Sequence, residues 1–295
     1  MTDIVVIGGG FGGTWFAKAV GARLLTRSNG FDLNFNLGKI MNAIAQERAK
    51  IVVNFASQSM VGQSWKTPGD WMQTNCVGQT DLVAALARYP NLEKYIHFTT
   101  PEVYGSTCGE WLPENWAFDP STPYAASRAA GDWITRMWQQ QYGFPAIFTR
   151  AANIYGEGQQ LYRVIPKAII AKMESQPFTL EGGGKSRRAF VHMEDVTDAL
   201  CLLITQGKIG DCYHISPREE VTIADLVYNK IGATAVITPD RTGKDDTYFL
   251  DSGKIMRMGW EPKITLAQGI ERTWAWMVEN AAVWAKWPRE YEHQA

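Results

Sequence analysis

Short apolar runs alternate with longer amphipathic stretches through the first half of this chain. Ile4–Ile7, Ala22–Leu25, Ile51–Phe55, Tyr95–Phe98 and Ala146–Thr149 read as strands. Between them fall helical patterns from about Thr14 to Val20, over Leu37–Ala49, over Trp71–Tyr89 and over Tyr124–Tyr142. Strands apolar on successive positions are buried on both faces, so this alternation predicts a parallel sheet covered by helices on both sides. After Asn153 the pattern changes. Pro166, Pro177, Gly182, Gly183, Gly184, Pro217 and Pro239 break the chain into short mixed elements. The expected organisation is a first domain over residues 1–156, rejoined by 187–208 through the apolar, helical stretch Phe190–Thr205. Residues 157–186 and 209–295 then form a smaller lobe over the carboxyl edge of the sheet.

Composition narrows the function classes. Charged residues are 20% and the formal net charge is −1, so no global field points to nucleic acid or to an anionic membrane surface. No apolar run reaches membrane-spanning length, and no basic segment precedes Ile4, which leads to the expectation of a cytoplasmic protein without a membrane partner. Cys76, Cys108, Cys201 and Cys212 show no CxxC or Cys/His spacing, so no metal site is expected, and isolated thiols suit a reducing compartment. The twelve tryptophans, including Trp274, Trp276, Trp284 and Trp287 near the C-terminus, read as packing residues.

The first chemical signal follows the first strand. Gly8-Gly9-Gly10-Phe11-Gly12-Gly13 contains GxGxxG at Gly8, Gly10 and Gly13 and opens a helix. The first glycine allows the tight turn, the second lets a pyrophosphate approach the backbone, and the third lets helix and strand pack closely. This sets the fold class as α/β, a Rossmann-type doubly wound parallel sheet with a smaller mixed α/β C-terminal lobe. An NAD site usually carries an acid at the end of the second strand, against the ribose 2′-hydroxyl. Here Leu24-Leu25-Thr26-Arg27-Ser28 has none. Arg27 and Ser28 can instead meet a 2′-phosphate, which leans the choice between NAD and NADP toward NADP; the other reading of Arg27 is a solvated loop cation. Asp32 and Leu33 follow within reach of the adenine edge.

Two further segments carry reactive groups. His97-Phe98-Thr99-Thr100-Pro101-Glu102-Val103-Tyr104-Gly105 leaves the end of a strand, the edge where open parallel sheets bind ligands. Pro123-Tyr124-Ala125-Ala126-Ser127-Arg128 opens the long helix. Tyr124 and Arg128 stand four apart and share a helix face. A cation beside a phenol favours phenolate, so a lowered Tyr124 pKa and an acid/base role are expected. Thr100 is placed to bond the same substrate oxygen.

Together these segments resemble the extended short-chain dehydrogenase/reductase family, in its nucleotide-sugar epimerase/dehydratase branch. Val53-Asn54-Phe55-Ala56-Ser57 resembles the strand beside the nicotinamide ribose, and Asn75 with Gly78 and Thr80 resembles an N-x-x-G-T helix. Arg150-Ala151-Ala152-Asn153-Ile154-Tyr155-Gly156 resembles R-x-x-N-x-Y-G, which reaches the sugar and diphosphate. Arg188-Ala189-Phe190-Val191-His192 with Asp195, the Arg241-Thr242-Gly243-Lys244-Asp245 loop and Gly259-Trp260-Glu261-Pro262 follow in the family's order. The resemblance implies that Tyr124 takes the proton of the sugar 4-hydroxyl as hydride leaves C4, with Thr100 orienting that oxygen and Arg128 standing where the family has lysine. It implies a tightly bound, recycled cofactor held by Gly8, Gly10, Phe11, Gly13, Arg27, Ser28, Asp32, Leu33, Phe55, Ala56, Ser57, Asn75, Tyr124 and Arg128. Asn153, Arg188 and Arg241 would hold the nucleotide diphosphate or its ribose. A homodimer through Trp71–Tyr89 and Tyr124–Tyr142 is also implied, with Trp133, Met137 and Trp138 fitting either an interface or a core.

Three departures from that family bear on the reaction. The turn reads GxGxxG rather than GxxGxxG. Arg128 is permanently charged and cannot shuttle a proton. The Asp-Glu pair that 4,6-dehydratases place after the threonine here reads Pro101-Glu102, which keeps the base and loses the acid. The leading expectation is a 4,6-dehydratase-like enzyme acting through a 4-keto sugar, with Glu102 either as the C5 base or only orienting the substrate. A 4-epimerase or decarboxylase is the alternative favoured by Pro101, and a catalytically silent dinucleotide sensor is the reading of another class.

Overall fold

The computed structural model describes residues 3–240 and 246–293. The strands that build the site are β1 (Ile4–Ile7), β2 (Arg23–Leu25), β3 (Ile51–Asn54), β4 (Lys94–Thr99), β5 (Ala146–Ala151), β6 (Asn153–Tyr155), β7 (Arg187–His192) and β8 (Cys212–Ile215). All except β6 and β7 join one sheet in the order β8-β5-β4-β3-β1-β2, every neighbouring pair parallel. The helices around it are α1 (Phe11–Val20), α2 (Leu37–Gln46), α3, α4 (Pro123–Tyr142), α5 (Val164–Met173), α6 (Met193–Gln206) and α7 (Leu266–Glu279). Here α3 denotes the consecutive segments Pro68–Met72, Gln73–Gly78 and Gln79–Leu86, the middle one wound as a π-helix.

The strands sort their side chains with period two, which is why apolar runs rather than alternating ones were required. Ile4, Val6, Val53, Ile96 and Ile147 enter one core with Phe16 of α1 and Val196, Leu200 and Leu203 of α6. Val5, Ile7, Val52, Tyr95 and Phe148 enter the opposite core with Ile40 and Ile44 of α2 and Leu82, Val83 and Leu86 of α3. Among the described residues no helix is long and apolar enough to cross a membrane.

Two boundaries differ from the sequence expectation. The sequence pattern places residues 209–295 in the second lobe, but β8 pairs with β5 at the edge of the large sheet, and Ile255 and Trp260 lie in the first lobe's core. The run Cys-Tyr-His-Ile is too short and too polar to announce a buried strand; its burial comes from pairing and from contacts made far away in sequence. The stretch Phe190–Thr205 is the end of β7 followed by α6, not helix throughout. The second lobe has its own core, where Leu161, Ile165, Ile169, Phe190, Ile270 and Met277 pack with buried Trp284. Trp274, Trp276 and Trp287 pack against the same cluster, which accounts for the C-terminal tryptophans.

The lobes meet where β6 runs parallel to β7, and Glu157 pins the junction. Its carboxylate sits 2.9 Å from His192 Nε2 and 2.9 Å from Arg272 Nε. Burial works to raise this carboxyl, but the His192 and Arg272 partners outweigh it and hold it at about 2, below its ordinary 4.5. A depressed carboxylate contributes stability above its unfolded pKa and loses it as pH falls through the folded one. Thermal melts of the wild type should therefore drop as pH falls from 4.5 toward 2, and Glu157→Gln should flatten that limb while lowering the melt at neutral pH. Parallel acid limbs in the two proteins would contradict this.

Candidate active site

Strand order reverses between β1 and β3, and the carboxyl ends of β1, β3, β4 and β5 open there into a cleft of about 920 Å³. Crevices at such switch points are the usual ligand sites of open α/β sheets, and this volume is near the upper end of their common range.

The glycine turn fits a dinucleotide. A Cβ at Gly13 would overlap the Gly8 carbonyl oxygen, so α1 closes onto β1 only with glycine there. Gly10, the N-cap of α1, instead faces open space on the cleft side. No side chain caps this terminus and no acid lies in its first turn, so the helix N-terminus is left for an anionic group. Phe11, Phe55, Ala56 and Ser57 line the same part of the cleft.

The end of β2 does not support the lean toward NADP. Thr26 caps a short turn over Arg27–Asn29, and the chain folds back so that Asp32 Oδ2 lies 2.9 Å from Arg27 Nε. The carboxylate missing at the strand end is thus returned to it by the turn. Asp32 and Leu33 line the cleft, and Arg27 is already neutralised by the acid that would repel a 2′-phosphate. The Ser28 hydroxyl is bonded to Thr26 at 2.8 Å.

The reactive groups converge at the other end of the cleft. Thr122 caps α4 by accepting from the Ala125 N–H at 3.1 Å, and Pro123 occupies N1, which fixes Tyr124 in the first turn. Thr100 lines the cleft together with Tyr124, and its hydroxyl caps the turn Pro101–Tyr104 that presents Glu102. Pro101 stands at the first position of that turn, where its fixed φ suits the geometry. Arg128 is buried and donates to the Phe98 carbonyl. The expected lowering of the Tyr124 pKa does not hold. Burial dominates and pushes the phenol up, Arg128 pulls it down, and Glu102 pushes it up further.

Asn75 does not reach the cleft. It lies behind the wall, accepting from the Gln58 N–H at 2.9 Å and donating to the Gln58 carbonyl at 3.0 Å and to Ser127 Oγ at 2.9 Å. It braces the loop after β3 against α4, and Thr74 rather than Asn75 lines the cleft. The π-turn that carries Asn75 lies so close to α4 that a Cβ at Gly131 would overlap the Asn75 carbonyl. Arg150 is likewise withdrawn from the sugar side. Its guanidinium is fully buried, 2.7 Å from Asp132 Oδ2, and Asp132 Oδ1 lies 3.0 Å from His97 Nε2.

On the second-lobe side, Asn153 and Arg188 line the cleft as expected, whereas Arg241 lies outside the described residues. Three groups escaped the sequence reading. Arg163, at the start of α5, lines the cleft and reaches across to Ser59 Oγ at 2.9 Å. The Tyr248 phenol donates to Asn153 Oδ1 at 3.0 Å, with the Arg188 guanidinium 4.3 Å from its ring centre. Tyr291 donates to Gln58 Oε1 at 3.2 Å, and His293 follows, 2.7 Å from Asp70 and stacked on Trp71. Each sits in a segment with no motif and is brought in only by tertiary folding.

The chain is similar to known proteins in sequence and in fold. The NAD dependent epimerase/dehydratase family matches residues 8–216. Human dTDP-D-glucose 4,6-dehydratase is 31% identical over 250 residues, covering 81% of this chain and 71% of the human protein. The dTDP-glucose 4,6-dehydratase of Streptomyces niveus is 33% identical over 241 residues, covering 79% of this chain and 71% of that protein. Among solved structures, the dTDP-glucose 4,6-dehydratase of Streptomyces venezuelae, with NAD and TYD bound, superposes with a TM-score of 0.87 at 26% identity, covering 95% of this chain and 98% of that one. The UDP-glucose 4-epimerase of Thermus thermophilus with NAD gives 0.83 at 25% identity, covering 93% and 99%. The chain belongs to the NAD-dependent epimerase/dehydratase family. It is an enzyme of that family's nucleotide-sugar branch.

Proposed function

We propose that this protein is an NAD-dependent nucleotide-sugar 4,6-dehydratase. The observation that carries the reading is the convergence of Thr100, Glu102 and Tyr124 at one end of a cleft whose other end is the Gly10 cradle. Gly8, Gly10, Phe11, Gly13, Asp32, Leu33, Phe55, Ala56 and Ser57 would hold the dinucleotide, with Asp32 toward the adenosine ribose; this favours NAD over NADP. When bound, the nicotinamide supplies a hydride acceptor at C4 and a hydride donor later in the cycle.

The residues then divide the work. Tyr124 takes the proton of the 4-hydroxyl while Thr100 holds that oxygen. Arg128 stabilises the phenolate and fixes its own place through the Phe98 carbonyl. Once C4 is a ketone, the C5 proton is acidified, and Glu102 removes it. Asn153, Arg188 and Arg163 supply an amide and two guanidinium forks for the diphosphate. One observation favours a second reading, a 4-epimerase or decarboxylase: Pro101 stands where an acid would protonate the leaving 6-hydroxyl. Incubation with UDP-, GDP-, CDP- and dTDP-linked hexoses and uronic acids separates them by mass. Loss of one water is the expected result. Unchanged mass with altered stereochemistry, or loss of carbon dioxide, would replace it with the alternative.

The C-terminal segment supports a retained cofactor. Arg289 forms a fork on Glu174 at 2.7 Å, and Pro288, Tyr291 and Glu292 line the cleft beyond it. The strap thus ties α5 to the loop after β3 across the dinucleotide end. The double variant Tyr291→Ala, His293→Ala should release bound cofactor about tenfold faster, a loss of roughly 1.4 kcal/mol, seen as lower retention on gel filtration. Equal retention would remove the strap from the account. A homodimer through α3 and α4 is part of the same proposal, supported by Trp133 at 45% and Met137 at 52% exposure on α4. Trp138, by contrast, packs against the core. A cytoplasmic location accords with four free cysteines.

A further inference from the structure

The cleft contains a second buried phenol that the steps above do not use. Tyr248 is 6% exposed and lines the same cleft as Glu102 and Tyr124. Three features of its surroundings suit proton donation. Its hydrogen is on the hydroxyl and already directed, since it donates to Asn153 Oδ1 at 3.0 Å; turning it onto a substrate oxygen exchanges one hydrogen bond for another. The Arg188 guanidinium, 4.3 Å from the ring centre, stabilises the phenolate left behind. Glu102 and Tyr124 are both within electrostatic reach of the phenol.

We propose that Tyr248 is the general acid that protonates the departing 6-hydroxyl, in place of the acid that Pro101 cannot supply. This rests on the dehydratase reading. In the elimination, Glu102 takes the C5 proton, the C5–H electron pair becomes the second bond of C5=C6, and the C6–O bond breaks. The oxygen leaves with its own hydrogen and the Tyr248 proton, as water. The step is redox-neutral and leaves protonated Glu102 and Tyr248 phenolate. After reduction at C6, Glu102 returns its proton to C5. The only proton then missing, that of Tyr248, equals the one Tyr124 took from the 4-hydroxyl, so transfer between the phenols resets the site with one water formed.

The electrostatics favour this order. Burial pushes the Tyr248 phenol up to about 12, Arg188 pulls it down and ionised Glu102 pushes it up. The phenol therefore stays protonated until needed. When Glu102 gains the C5 proton it loses its charge, and Tyr248 becomes a stronger acid as the leaving group departs.

Tyr248→Phe tests this with dTDP-glucose and its 6-deoxy-6-fluoro analogue, following reduced cofactor by near-ultraviolet absorbance and product by mass. Fluoride needs no proton to leave. The variant should reduce its cofactor with dTDP-glucose as the wild type does, then accumulate it reduced, with water loss slowed at least about 100-fold. With the fluoro sugar, both proteins should release fluoride within about threefold of each other. Water loss by the variant near the wild-type rate would overturn the proposal. So would failure to reduce cofactor with either sugar, which would make Tyr248 a substrate-holding or structural residue. A wild type that eliminates neither water from dTDP-glucose nor fluoride from its analogue would overturn the dehydratase reading itself, and with it this assignment.

Discussion

Replacing Tyr124 with phenylalanine should leave a folded, cofactor-retaining protein whose turnover falls by roughly 10³-fold. The substitution removes one oxygen and keeps the ring, so the buried packing at the start of α4 survives. That oxygen lies in the cleft within the influence of Arg128, and the proposed first step needs a base there. Because burial raises its pKa and a base acts when deprotonated, the rate of cofactor reduction should climb with pH through the neutral range. Arg128→Met should move that climb to higher pH, since the guanidinium is the largest influence opposing burial. Turnover by Tyr124→Phe within a few-fold of wild type, about 1 kcal/mol or less in barrier, would remove Tyr124 from the mechanism.

Asp132→Ala should be the most damaging change to stability, about 3–5 kcal/mol, which lowers the melting temperature by roughly 10 °C. Asp132 projects from α4 into a site with no water access and holds both Arg150 at 2.7 Å and His97 at 3.0 Å. Burial alone would push its carboxyl up, but Arg150 and His97 outweigh that and hold it below the usual carboxylate range. Removing it strands a fully buried guanidinium among Tyr104, Trp116 and Phe118. Most of the loss is the cost of that orphaned charge. The double variant Asp132→Leu, Arg150→Met should therefore be more stable than Asp132→Ala alone, measured by thermal and denaturant unfolding. A double variant less stable than the single one would contradict this reading of the pair.

The parts of the fold and site that were legible in the sequence are those with local causes. Ile4–Ile7, Ile51–Asn54 and Lys94–Thr99 are apolar because both faces are covered, and the glycine turn is fixed by the contact between Gly13 and Gly8. Tyr124 and Arg128 share a face because a helix puts them there. Residues whose place depends on distant contacts were read wrongly or missed. Asp32 reaches the end of β2 only because the chain turns back at Gly30, and the linear sequence leaves Arg27 without that partner. Asn75 sits in the π-turn, whose widened register directs it at Gln58 and Ser127. Arg150 carries a motif shared with residues that do face the cleft, yet strand alternation turns it to the Asp132 side. Arg163, Tyr248 and Tyr291 come from segments over a hundred residues from their partners Ser59, or close to that from Asn153 and well beyond it from Gln58.

The central claim is that C4 is oxidised and that its hydride returns at C6 of the same sugar. The direct measurement is conversion of dTDP-glucose carrying deuterium at C4, read by mass and nuclear magnetic resonance. The account predicts a product one water lighter with the deuterium at C6. Deuterium still at C4, in an epimer or in unchanged sugar, would contradict it.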